Sequence, residues 1–224
     1  MNALDFNPTG TLNALCDISH LNENVDLNKV QSSGILGILH KATQSSGRTL
    51  FHDKMYPIRK QIAENLGLLW GAYHFGTNGS GIDQANAFLD YVKPNNDILL
   101  VLDFEVVTTP GESNMSLHEA RDFVSQVQLK TGKYPGIYGG ALLKEVLKQE
   151  SGIDPILSKC WLWVADYASK PNLPIGWDNY TLWQFTDGVH GPGAVPIDGI
   201  GLCDRDIFNG KESELISFWK ENIV

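Results

Sequence analysis

Positive charge is scarce in this sequence of 224 residues. Lysine and arginine number 17 against 26 aspartates and glutamates, a net charge of −9 at pH 7. A nucleic-acid binder needs a basic footprint to displace counterions, so this balance argues against nucleic acid as a partner. It also gives no help in approaching an anionic surface. Cysteine is scarce too. Cys16, Cys160 and Cys203 are too few and too scattered for a disulfide framework, and no Cys-x-x-Cys occurs. They read as buried free thiols. No apolar run reaches the roughly 18 residues of a membrane span. Met1 to Gly10 lacks the basic cluster and apolar segment of a signal peptide. Neither Gly-rich phosphate-loop pattern is present, which sets nucleotide binding aside. No Ser-His-Asp or Cys-His arrangement is visible. His20 and His74 are too few and too far apart in sequence for a metal site, so neither metal nor cofactor is expected.

What is present is one conspicuous stretch, Ile98-Leu99-Leu100-Val101-Leu102-Asp103-Phe104-Glu105. Five apolar residues in a row read as a strand buried on both faces. The run ends in two carboxylates. Strand side chains alternate faces, so Asp103 and Glu105 project to the same side, with Cα atoms roughly 6.6 Å apart. Like charges at the edge of a low-dielectric core push two pKa values apart and separate an acid from a base. An acid at a strand end is also an ordinary exit to solvent, so the pair alone does not decide.

The rest of the chain alternates strand and helix at first. Strands are expected over Leu12–Ile18, Ile35–His40, Leu68–Phe75 and the opening stretch, then over Tyr134–Tyr138, Cys160–Tyr167, Tyr180–Thr186 and Gly201–Asp206. Asp26 caps a short helix ending at Ser33. Further helices are expected over Asp53–Asn65, Asp83–Val92, from the Ser116-x-x-Glu119 capping box to Lys130, to about Gln149, and over Ser213–Asn222. The alternation implies a parallel sheet. About eight short strands without a second core suggest a single α/β domain over residues 1–224, a closed or nearly closed β/α barrel, TIM-barrel-like, with its core at about 12–210 and a closing helix at about 213–222.

Chemistry in such barrels sits at the C-terminal strand ends. Asp17 ends the first strand, Asp103 and Glu105 the fourth, and Asp166 lies near the end of the sixth. Asp204 and Asp206 lie in the last. Closure makes the first and last strands neighbours and brings Asp17 beside Asp204. Tyr73, Phe75, Tyr138, Trp163, Tyr167 and Trp183 also gather at strand ends. Acids with aromatic faces suit a sugar-binding cleft, although each aromatic taken singly is more often core than cleft.

Seven motifs follow in order. They are Cys16-Asp17-Ile18-Ser19-His20, Lys41-Ala42-Thr43, Gly71-Ala72-Tyr73-His74-Phe75, Leu102-Asp103-Phe104-Glu105, Gly136-Ile137-Tyr138-Gly139, Leu162-Trp163-Val164-Ala165-Asp166-Tyr167 and Leu182-Trp183-Gln184-Phe185. Together they resemble glycoside hydrolase family 25, the Chalaropsis-type lysozymes, over about Leu15 to Phe208. The resemblance implies a flattened, irregular β/α barrel and hydrolysis of the β-1,4 bond after N-acetylmuramic acid in peptidoglycan glycan strands. It implies Glu105 as the acid, Asp103 as the partner of a substrate-assisted step, Asp17 and Asp204 as catalytic support, and Tyr73, Tyr138, Trp163, Asp166 and Gln184 as substrate-binding residues. Enzymes of that family often carry a cell-wall-binding repeat or a leader; here a monomer is expected, without a separate cell-wall-binding domain. Such an enzyme acts at the bacterial cell wall or periplasm, as a phage lysin or a secreted effector. Two departures stand out. The family often has Glu-Gly where this chain has Gln44-Ser45, and an amide is common where Asp206 stands. A chitinase-like or endo-N-acetylglucosaminidase activity, and a non-catalytic glycan-binding barrel, are the alternatives.

Overall fold

The computed structural model describes residues 4–224; Met1–Ala3, part of the stretch read above for a leader, lie outside them. The strands are β1 (Leu12–Ile18), β2 (Gly37–Gln44), β3 (Phe51–His52), β4 (Leu69–Phe75), β5 (Leu99–Asp103), β6 (Gly136–Gly139), β7 (Trp161–Ala165), β8 (Leu182–Thr186) and β9 (Asp204–Phe208). The helices are α1 (Leu27–Ser32), α2 (Met55–Leu66), α3 (Gly81–Val92), α4 (Leu117–Thr131), α5 (Ala141–Lys148) and α6 (Glu212–Asn222). Strands pair in the order β1-β9-β8-β7-β6-β5-β4-β2, and β1 pairs back onto β2, which closes a barrel of eight; β3 hangs on β2 as a short antiparallel addition.

Period-2 alternation divides each strand between two cores. Along β5 and the residue on either side of it, Leu99 and Val101 pack inside the barrel while Ile98, Leu100, Leu102 and Phe104 pack outward against the helices. Leu15, Leu39, Trp163, Leu182 and Phe208 fill the same interior. Leu215 and Trp219 of α6 join this inner cluster. The end of the chain returns to the start of β5, where Val224 N–H donates to the Ile98 carbonyl at 3.0 Å. One end of the barrel is therefore packed with apolar side chains. Each fully buried one contributes roughly 1.5–3 kcal/mol. The inner rows turn polar only at the other end, where Asp17, Lys41, Tyr73, Asp103 and Gln184 continue them.

The helices start and stop where local chemistry dictates. Asp26 accepts from the N–H groups of Asn28 and Lys29 at the head of α1. Ser116 and Glu119 form the reciprocal capping box of α4, and Gly132 ends it in the left-handed conformation that glycine adopts without a Cβ clash.

Four expectations are corrected. The last strand runs from Asp204 to Phe208 rather than Gly201 to Asp206, and it lies antiparallel to both β1 and β8. A parallel return needs a crossover, usually helical, and the glycine- and proline-rich segment after β8 contains no helix. Second, β2 extends to Gln44, so the Lys41-Ala42-Thr43 motif is strand rather than the loop after it. Third, β5 ends at Asp103 and Glu105 follows it. The Phe104 N–H still donates to the Tyr138 carbonyl at 2.9 Å, and Phe104 still faces the outer core, so the alternation carries Glu105 inward. Fourth, β3 was not anticipated.

Candidate active site

The barrel interior opens at the rim into a cavity of about 160 Å³ lined by Asp17, Tyr73, Asp103, Glu105, Tyr138, Trp163, Tyr167, Gln184 and Asp204. Seven strands, all of the barrel but β2, supply them or lead directly into them, and residues distant in sequence meet because the sheet closes. Asp17 on β1 is the direct register partner of Asp204 on β9. The antiparallel course of β9 puts the start of that strand, not its end, at the rim.

Hydrogen bonds fix the back wall. Gln184 Nε2 donates to Asp17 Oδ2 at 2.8 Å. The Tyr138 and Tyr167 hydroxyls both donate to Gln184 Oε1, each at 2.9 Å. Trp163 stacks edge-on against Tyr138 at 4.6 Å between centroids and donates from Nε1 to Asp206 Oδ1 at 2.7 Å. The floor is dry: Trp163 is 1% and Asp103 4% exposed.

That dryness sets the electrostatics. Burial raises the Asp103 carboxyl well above the ordinary carboxylate range, and repulsion from Glu105 adds to the rise. Burial raises Glu105 as well. Lys41, on the inner row of β2, opposes both shifts. Its ammonium lies 4.4 Å from the Phe75 ring centroid, where cation–π attraction holds it, and donates to Gln44 Oε1 at 2.7 Å. Asp204 is pushed up to about 7, first by burial and then by Asp187 and Glu105. Asp17 is raised by burial, Asp204 and Asp206. Carboxyls so placed hold their protons to higher pH than free ones do, as acid catalysis requires.

Glu105 also belongs to a second space. A groove of about 700 Å³ runs from the cavity across Phe75, Val106, Thr108, Leu142 and Lys144, and shares Glu105, Tyr138 and Tyr167 with it. Asp166 lines this groove rather than the cavity. It pairs with Lys144 at 2.7 Å and accepts from the Asn172 N–H at 3.1 Å. The cavity alone is smaller than the 300–1,000 Å³ of ordinary ligand pockets, so it takes part of a ligand and the groove takes more. Glu105 stands at their junction.

Eight of the nine expected site residues line one cavity, and Asp166 lies beside it. Trp183 does not reach either space. It occupies the outer row of β8, 1% exposed, and donates to the Asp166 carbonyl at 2.7 Å. Its place on the strand shows why: Gln184 next to it faces inward. His20 is bound to Asp53, and His74 is fully buried between Thr43 and Gln84, so side-chain bonds within the fold hold both rings. Sequence reasoning passed over Lys41 as a charge for the site. The signal was there, since a lysine within an apolar strand is rarely buried without a partner.

The Gln44-Ser45 departure has a local explanation. Gln44 Nε2 donates to Glu112 Oε2 at 2.7 Å, and the Ser45 hydroxyl donates to Glu112 Oε1. Ser45 sits in the left-handed region at φ 60°, which costs a non-glycine residue about 1 kcal/mol. Its bonds to Glu112 and Thr77 offset that cost.

Buried carboxyls at the mouth of a β/α barrel, walled by aromatic rings and open to an extended groove, suit one kind of work: protonating a glycosidic oxygen and steadying the cation left behind. Fold and site together define a glycoside hydrolase. Residues 16–194 match the model of glycosyl hydrolases family 25, and the chain belongs to that family. It is 26% identical over 214 residues to lysozyme M1 of Streptomyces globisporus, covering 90% of this chain and 69% of that protein. Among solved structures, it superposes on the bacterial lysozyme from Streptomyces coelicolor with a TM-score of 0.77 at 25% identity, covering 96% of this chain and 99% of that one. It also superposes on the muramidase from Trichobolus zukalii with a TM-score of 0.75 at 27% identity, covering 92% and 98%.

Proposed function

We propose that this chain is an N-acetylmuramidase that cleaves the β-1,4 bond between N-acetylmuramic acid and N-acetylglucosamine in peptidoglycan. The observation that carries the reading is the place of Glu105 at the junction of cavity and groove, with Asp103 deeper on the same side. A glycan strand running along the groove puts one sugar at the cavity and the scissile oxygen beside Glu105.

Glu105 donates its proton to that oxygen. The C1–O bond breaks, its electron pair stays with the departing N-acetylglucosamine, and the 2-acetamido oxygen bonds to C1. Asp103 steadies the acetamido N–H and the positive charge that develops on the group. Asp103 Oδ1 supports this role, because it is buried without a hydrogen-bond partner and is free to accept. Water then attacks C1, gives a proton to Glu105, and the acetamido bond opens. Asp17 and Asp204 support the charge balance. Tyr73, Tyr138, Trp163 and Gln184 wall the sugar, and Asp166 with Lys144 borders the groove.

The chain acts as a monomeric catalytic domain at the bacterial cell wall or periplasm, without metal or cofactor. Digestion of purified peptidoglycan followed by analysis of new reducing ends tests the reading. N-acetylmuramic acid ends are expected. N-acetylglucosamine ends move the protein to the glucosaminidase alternative, and binding without new ends makes it a glycan-binding barrel.

A further inference from the structure

Asp206 is a carboxyl that this scheme does not use. It lies on the inner row of β9, below Asp204, and is 0% exposed. One oxygen, Oδ1, accepts from Trp163 Nε1 at 2.7 Å. The other, Oδ2, is buried without a donor, and Asp17 is the diagonal neighbour of Asp206 on the inner face of adjoining β1, since Asp17 pairs with Asp204 and Leu15 with Asp206. Asp17 in turn already accepts from Gln184. Two carboxylates cannot bond to each other. A single proton between them converts the orphaned oxygen into one end of a hydrogen bond and removes one of two like charges from a dry interior.

We infer that Asp17 and Asp206 hold one proton between them, and that this bond makes Asp206 the positioning residue that presents Asp17 to the substrate. The surroundings favour the shared proton. Asp204, register partner of Asp17, adds negative charge from the rim side of β9, and Cys16 faces outward beside Asp17 on β1. Arg205 lies on the outer face of β9, where it donates to the Gly193 carbonyl at 3.2 Å and sits 5.1 Å from the Phe185 ring centroid. Trp163 on β7 and Gln184 on β8 are neutral donors. Burial, opposed in part by the Trp163 bond, pushes Asp206 up to about 8. The proton therefore belongs to the pair through neutral pH and leaves above it. Once it leaves, two adjacent anions repel and Asp17 swings from its place.

The inference rests on the muramidase reading for its activity test, and a second readout is independent of substrate. An amide at 206 reproduces the protonated pair: its oxygen accepts from Trp163 and its N–H donates to Asp17 at all pH values. Asp206→Asn is expected to keep kcat/KM within about 3-fold of the parent near pH 5. Its alkaline limb is expected to be one proton shallower than the parent's. Asp206→Leu removes both bonds and is expected to lose about 10-fold or more. If that variant does not fold, the asparagine profile decides alone. Infrared difference spectra of the substrate-free protein should show a protonated-carboxyl band that disappears as pH rises through about 8, and that is absent from Asp206→Asn. Limbs of equal steepness, an asparagine variant inactive at every pH, or unchanged infrared spectra overturn the inference. A parent inactive on peptidoglycan overturns the muramidase reading instead, and the infrared result still decides the proton.

Discussion

Gln44 donates its side-chain amide to Glu112 at 2.7 Å and so ties the end of β2 to the loop that follows Glu105. The same side chain accepts from Lys41 at 2.7 Å through its carbonyl oxygen. An amide can face a cation on one side and a carboxylate on the other; a carboxylate cannot. Gln44→Glu therefore sets two like charges together across this contact. The expected cost is about 1–3 kcal/mol, with weaker substrate turnover as the loop loosens. Combining it with Glu112→Gln restores a donor–acceptor pair, so a double-mutant cycle on unfolding free energy should return a coupling of at least about 1 kcal/mol. Additive effects contradict the strap.

Lys41 is the cation that opposes the rise of both Asp103 and Glu105. Lys41→Met keeps the length and apolar stem over Phe75 and removes the charge. Both carboxyls then ionise at higher pH. The two limbs, which report the stepwise titration of the coupled Asp103–Glu105 pair, should both move upward. A bell displaced to higher pH with at least about 10-fold lower activity near pH 5 is expected from kcat/KM profiles. A profile that only shrinks, with both limbs in place, assigns Lys41 to packing.

Much of this site was legible in order along the chain. The apolar run into Asp103-Phe104-Glu105 fixes two same-facing acids through the period of a strand, and closure brings Asp17 to Asp204. Strand direction was less accessible. The start of β9 meets the rim only because the segment before it has no helix to carry the chain back, a signal carried by what is missing between Gly188 and Pro196. Trp183 was placed at the mouth because aromatic identity does not reveal parity; Gln184 beside it does, once the strand register is known. The Glu112 strap was invisible, since a contact between residues 44 and 112 arises from loop conformation rather than from any periodic pattern.

Glu105 and Asp103 separate by experiment. Glu105→Gln keeps the shape and deletes the transferable proton, so kcat on peptidoglycan should fall by about 10²–10⁴. The fold should hold, because a half-buried carboxyl is exchanged for a neutral amide of the same size. Asp103→Asn removes the charge that steadies the acetamido group, and its loss should be felt in kcat more than in KM. Added azide is expected to leave Asp103→Asn unrescued as a glycosyl azide donor, because in the proposed route the substrate's own acetamido group is the nucleophile. A glycosyl azide product from Asp103→Asn points to a direct carboxylate nucleophile.

Stability should depend on pH through the same buried acids. Asp204 and Asp206 are raised to about 7 and about 8, whereas an unfolded aspartate titrates near 3.9. Between those limits the fold binds more protons than the unfolded chain, so stability falls as pH rises across the interval. His40 and His74 act the other way. Burial lowers both to about 4 from an ordinary value near 6.5, so their contribution is present above 6.5 and lost as pH falls toward 4. The two effects oppose each other between about 4 and 6.5. Above 6.5 the histidines are neutral in both states and the carboxyls act alone. Denaturant unfolding should therefore show stability declining from about pH 6.5 to about pH 8, and Asp206→Asn should decline less and exceed the parent by about 1–3 kcal/mol at the upper end. A parent whose stability stays level or rises over that interval contradicts the protonated state assigned to these acids.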